Sequence, residues 1–100
     1  MNPAAEIVQS VRIASTHPAL PGHFPGNPVV PGVVLLDCVA AAIERVRNAR
    51  LARIDVVKFL APLRPDEEAE LRIIACDGAR VSFRIDRDGA AILRGEGALA

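Results

Sequence analysis

The stretch Gly22-His23-Phe24-Pro25-Gly26-Asn27-Pro28-Val29-Val30-Pro31-Gly32-Val33-Val34-Leu35-Leu36-Asp37 joins a stiff loop to the start of an apolar helix. Proline fixes φ and removes an amide donor, so Pro25, Pro28 and Pro31 exclude a strand interior or a helix up to that point. Proline is tolerated where a helix begins, so helical spacing starts about Gly32. From there a single acid, Asp37, interrupts the apolar run Val33 to Ile43. The amides near Gly32 and Val33 have no acceptor one turn back and carry the positive end of the helix dipole. Sixteen residues thus offer an imidazole, outward amides and a carboxylate about one and a half turns into a helix.

Outward from this stretch, the pattern predicts one α+β domain over residues 1–100. Glu6 to Ala14 alternates Ile7, Gln9, Val11 and Ile13 against Val8, Ser10, Arg12 and Ala14, which predicts a strand. Ser15 to Pro31 is a long Pro/Gly-rich connection, and loops of that length in small domains usually carry function. The helix runs from Gly32 to about Ala49. Its first turns are apolar nearly all round, which predicts that they are enclosed, with Val46 facing inward. Strands follow over Ala52–Ala61, Glu68–Cys76, Ala79–Asp86 and Ala90–Leu99, with hairpin turns at Asp77-Gly78 and Asp88-Gly89. An antiparallel meander wrapped around the single helix encloses it most economically.

Composition narrows the functions. The apolar fraction is 51%, yet the chain has no Trp or Tyr and only three Phe, so the core is aliphatic. A domain this small buries only about 60–70% of its unfolded surface, so an apolar surplus predicts a homodimer or higher homo-oligomer. The formal net charge of zero argues against a nucleic-acid partner. Six basic residues (Arg45, Arg47, Arg50, Arg53, Lys58, Arg64) face two acids between Glu44 and Arg64; this is either a solvated helix face or a landing patch for an acidic partner. Cys38 and Cys76 lack any metal or redox spacing and read as reduced, structural thiols, which suits a cytoplasmic protein. Met1 to Glu6 has no signal-peptide character, and no apolar run is long enough for a membrane span.

The segments His23-Phe24-Pro25-Gly26 and Pro28-Val29-Val30-Pro31-Gly32, with Asp37 fourteen residues after His23, resemble the active-site signature of the beta-hydroxyacyl-[acyl carrier protein] dehydratases. A weaker likeness continues through Lys58-Phe59-Leu60-Ala61-Pro62-Leu63-Arg64-Pro65. The resemblance implies the hotdog fold, an antiparallel sheet wrapped around one long central helix. It also implies a 3-hydroxyacyl thioester substrate, carried on the phosphopantetheine of acyl carrier protein, with no cofactor and no metal. His23 would be the base that takes the C2 proton, and Asp37 the acid that protonates the departing hydroxyl. Gly32 would offer its amide to the thioester oxygen, with Val33 beside it, and the Val29 carbonyl would orient the His23 ring. Phe24 is either an anchor for the loop or a substrate contact. In such dimers the histidine of one subunit meets the acid of the other.

The residue types suit that chemistry. A neutral imidazole can accept a proton near pH 7, an oriented amide can stabilise an enolate-like oxygen, and a carboxyl in an apolar setting can hold a proton. Taken alone, a histidine among prolines is ordinarily a loop residue, and an acid in a helix is ordinarily hydrogen-bonded structure. His17-Pro18 lacks the surrounding motif and reads as a surface loop. Two departures accompany the resemblance. Aspartate rather than glutamate stands at position 37, as in members that also isomerise the double bond, and Ala41 stands where glutamine is usual. Two other functions stay open: an acyl thioesterase, and a non-catalytic acyl-binding partner subunit.

Overall fold

A computed structural model describes residues 7–18, 29–75 and 78–100. Along the chain come β1 (Ile7–Val11), α1 (Gly32–Arg47), β2 (Leu51–Phe59), β3 (Ala69–Ala75), β4 (Arg80–Arg87) and β5 (Ala90–Leu99). The expected elements are all present with small shifts of boundary. The turn at Asp77 and the thiol of Cys76 lie outside the described residues.

The sheet is antiparallel throughout, in the order β1-β3-β4-β5-β2. Only β3, β4 and β5 form a meander. β2 does not pair with its sequence neighbour β3, as a simple meander would require; it crosses to the far side and pairs with β5. The tight turn at Asp88-Gly89 fits its residues, since both adopt positive φ (51° and 81°) and the flanking Arg87 and Ala90 pair directly. Positive φ at both central positions is the type I′ geometry that matches strand twist.

Strand alternation puts Leu71, Ile73, Val81, Phe83, Ile85 and Leu93 on the helix side, each at most 3% exposed. α1 lays Val34, Leu35, Val39, Ala42 and Ile43 on that layer and closes at Asn48, whose left-handed backbone returns an amide to the Glu44 carbonyl. Asn tolerates that conformation better than most residues. Where the sheet needs room, glycine supplies it. A Cβ on Gly95 would lie 2.5 Å from the Phe83 ring, so the ring lies flat over the bare strand.

The enclosure expected for the first turns of α1 is only half realised within the chain. Val33 is 64% exposed, Asp37 and Ala41 are also exposed, and Val46, expected to face inward, points to solvent. One stripe of the helix is enough to cover the sheet's inner layer, so the opposite stripe meets no partner element among the described residues. Nor does α1 reach fully across β2, where Ile54 and Phe59 remain 38% and 53% exposed.

Candidate active site

The loop entering α1 is fixed from two sides. The Val30 amide donates to the Leu63 carbonyl at 2.8 Å, and the Val34 amide donates back to Pro31 at 3.0 Å. Pro31 occupies the cap position in extended backbone (φ −61°, ψ 143°) with no side-chain capping bond. Among the described residues, the amides of Gly32 and Val33 find no hydrogen-bond acceptor. The start of the helix therefore keeps free donors and its positive dipole end, as the sequence predicts.

Beside this start lies a cavity of about 430 Å³ with an apolar lining, including Val29, Gly32, Leu35, Phe59, Leu60 and Leu63. Phe59 forms its wall against the helix. A Cβ on Gly32 would meet ring atoms of Phe59 at 2.5 and 2.6 Å, so only glycine allows this approach. The motif's glycine thus lets the half-exposed Phe59 ring lie against the helix start, where a side chain would push the ring aside. In the sequence Phe59 stands out only as an apolar residue of the expected strand Ala52–Ala61 and in the weaker likeness around Lys58 to Pro65. Its wall position follows from β2 crossing to the far edge, which strand periodicity does not report.

The expected site residues divide into three groups. Val29 and Gly32 line the cavity together. Val33 and Asp37, one turn apart, share the helix stripe that the chain leaves exposed, and Asp37 is turned away from Leu35 in the cavity wall. Within one chain, then, the acid lacks the apolar setting expected for it. His23 and Phe24 lie outside the described residues. Next to Asp37, the half-buried Cys38 thiol is pushed up, first by burial and then by the Asp37 charge. A thiol held protonated fits the structural role expected for it. Among the described residues no group of His, Cys, Asp and Glu could hold a metal ion.

The basic run from Arg45 to Arg64 does not make one surface. Arg45 sits at the helix end and hydrogen-bonds Gln9 on β1, whereas Arg53 and Lys58 lie on β2, the opposite edge of the sheet. Among the described residues no helix is long and apolar enough to cross a membrane.

Comparison with known proteins places this geometry. Residues 1–96 match the family model ApeI-like, described as ApeI dehydratase. A 3-hydroxyacyl-[acyl-carrier-protein] dehydratase FabZ from Geobacter metallireducens is 32% identical over 84 residues, covering 73% of this chain and 56% of the relative. The FabZ of Chlamydia caviae is 33% identical over 93 residues, covering 78% and 60%. The chain thus spans a little over half the length of these relatives. A solved structure, the dehydratase heterocomplex ApeI:P from Xenorhabdus doucetiae, superposes with TM-score 0.85 at 27% identity, over 96% of this chain and 88% of that one. An acyl-CoA hydrolase from Staphylococcus aureus superposes with TM-score 0.65 at 13% identity, over 96% of this chain and 62% of its own; it shares the hotdog fold alone. Fold by itself therefore does not separate dehydratase from thioesterase. The family match does not depend on fold alone: it takes in β1 to β4, the whole of α1 and β5 as far as Glu96, and the chain belongs to the ApeI-like dehydratase family.

Proposed function

We propose that this protein removes water from a 3-hydroxyacyl thioester carried on acyl carrier protein, giving the trans-2-enoyl thioester. The observation that carries the reading is the apolar cavity at the uncapped start of α1, with Val29 and Gly32 of the His23 to Asp37 motif in its wall. The acyl chain occupies the cavity, and the Gly32 amide donates to the thioester oxygen as negative charge develops there. His23 takes the C2 proton. The C2–H electron pair becomes the C2–C3 double bond as the C3–O bond breaks, and Asp37 gives its proton to the leaving oxygen, so water departs. The proton on His23 returns to Asp37 through solvent before the next turnover.

Asp37 lies on the exposed stripe of α1, so the working site needs a second chain to enclose it. We place that chain over Val33, Asp37 and the uncovered inner side of β2, where Ile54 and Phe59 await cover. His23 of one chain then serves Asp37 of the other. A second copy is the first candidate. The Xenorhabdus neighbour is described as a heterocomplex, and Ala41 removes an amide usual beside the acid; both favour a second reading, in which a related but non-identical subunit fills that place.

The test follows enoyl absorbance on a 3-hydroxyacyl thioester, with the protein's mass in solution measured in parallel. His23→Ala should lower kcat about 10²- to 10⁴-fold, the usual contribution of a positioned base, while the far-UV circular dichroism stays the same. Retained turnover in that variant removes His23 as the base. Release of free thiol in place of enoyl product makes the protein a thioesterase, and turnover that appears only on adding a second subunit establishes the heterologous pairing.

A further inference from the structure

The connection from β2 to β3, residues 60–68, crosses the end of the sheet. β5 and β4 lie between the strands it joins, so it spans three strand spacings, about 14 Å. It belongs to no strand, and its backbone groups are held one by one. On the β5 side the Leu60 amide donates to the Ile92 carbonyl at 2.8 Å. Just beyond β1 the Asp66 amide donates to the Ile13 carbonyl, also at 2.8 Å. Between these anchors Leu63 turns inward, 1% exposed, and Leu60 to Leu63 form one side of the apolar cavity.

One peptide group of this crossing is held at both ends. Between Leu63 and Arg64, its carbonyl accepts the Val30 amide at 2.8 Å and its N–H donates to Glu67 Oε1 at 2.8 Å. A carboxylate on the N–H polarises the peptide and strengthens the acceptor at the other end. Arg87, the last residue of β4, completes the arrangement. Its Nη1 donates to the same Oε1 at 2.9 Å and to the Pro62 carbonyl at 3.1 Å, so the peptides on both sides of Leu63 are fixed. Arg87 has a firm base, since it pairs with Ala90 across the tight turn at Asp88-Gly89. The two side chains are 29% and 33% exposed, and a surface ion pair of that kind adds little to stability. What it does here is set geometry.

That geometry reaches the start of α1. Val30, held on Leu63, stands two residues before Gly32. The ring of Pro31 fixes φ between them at −61°, and the Val34 amide on the Pro31 carbonyl fixes the next rotation. The Gly32 amide belongs to the same peptide as that carbonyl. Its direction therefore follows from where Leu63 holds Val30.

We propose that Glu67 and Arg87 are positioning residues, which together place the Leu63–Arg64 peptide on Val30 and so aim the Gly32 amide at the thioester oxygen. The proposal rests on the dehydratase reading for the oxygen it serves, and the placing of the amide is measured separately. The test uses the full chain, with hydrogen exchange at Val30 and the Gly32 amide resonance read by NMR, and enoyl formation read by absorbance. Glu67→Ala should speed Val30 exchange about tenfold, the strength of one hydrogen bond, and should move the Gly32 resonance. Its kcat should fall about tenfold with KM little changed, short of the roughly 10²- to 10³-fold lost with an oxyanion donor itself. Glu67→Gln, which keeps an acceptor without the charge, should fall in between. Arg87→Ala should match Glu67→Ala, and the two together should be no worse than either alone, because both act on one peptide. Arg87→Lys, which keeps a charged donor, should restore most of the loss. Asp86→Asn provides the comparison: it breaks the Arg84–Asp86 pair on β4, which hydrogen-bonds no group of the crossing. Its Tm should fall at least as far, with exchange and kcat at wild-type values. Unchanged Val30 exchange in Glu67→Ala and Arg87→Ala overturns the proposal, and so does wild-type kcat despite faster exchange. A loss of kcat that Asp86→Asn reproduces also overturns it, as general loosening. An inactive wild type removes the dehydratase reading alone, and the Val30 and Gly32 signals still decide whether the pair places the amide.

Discussion

β4 and β2 belong to one sheet, carry similar apolar residues and meet opposite fates. On β4, Val81, Phe83 and Ile85 are 0–3% exposed, flanked by β3 and β5 and covered by α1. On β2, Ile54 and Phe59 on the same inner face are 38% and 53% exposed, because the strand is an edge and the helix falls short of it. The same contrast divides α1, with Val39 and Ala42 fully buried and Val33 exposed across the helix from them. One half of the molecule is finished by its own chain; the other half, which holds the candidate site, has apolar surface and an unpaired strand edge to spare. Long apolar edges of that kind are ordinarily covered by a partner.

Substitutions can test whether the contrast is real. Phe83→Ala should be the most damaging, about 3–5 kcal/mol in urea denaturation, because it empties the centre of the finished half. Phe59→Ala should cost far less in a dilute, dissociated sample. If a second chain covers β2, its cost should grow with protein concentration, as linkage requires. A cost equal to that of Phe83→Ala at every dilution would erase the distinction between the two strands.

Gly32→Ala should destabilise by about 1–3 kcal/mol through overpacking against Phe59. Combined with Phe59→Leu it should cost less than the sum of the two, a coupling that a double-mutant cycle would read. Additive effects would mean that the ring and the glycine do not meet. Ile54→Lys should lower the association state seen by sedimentation, with little change in the stability of the separated chain. Asp37→Asn should be smaller still in stability, within about 0.5 kcal/mol for an exposed position in the dissociated chain, while abolishing turnover.

The smallest effect concerns the turn before β3. The Glu67 carboxyl is held below its usual range, first by the Arg64 amide at 2.8 Å and also by Arg87 at 2.9 Å. A lowered carboxylate pKa contributes stability above the unfolded value near 4.5, and that contribution fades as pH falls through the lower folded value. Glu67→Gln should therefore lower Tm slightly at pH 7 and converge with wild type in acid. A gap in Tm that widens on acidification would contradict the assignment.

Much of the molecule was legible beforehand because its signals are local. The prolines up to Pro31 fixed where α1 begins, Asp88-Gly89 fixed a hairpin, and alternation through Val81, Phe83 and Ile85 gave an inward face. Val46 and the first turns of α1 were misjudged because hydropathy reports that a residue avoids water, not which chain will cover it. The place of β2 at the far edge was equally invisible, since pairing partners are chosen by long-range packing and not by the strand's own residues.

The sequence alone determined the elements, the apolar character of the helix, and the motif joining His23 to Asp37, because each depends on neighbours within a few turns or on residue chemistry. The tertiary structure decided that Phe59 walls the cavity against Gly32, that Asp37 faces outward, and that Arg87 and Glu67 meet beside Leu63. Those facts depend on strand order and register, which bring together residues dozens of positions apart and are set by the packing of the whole chain.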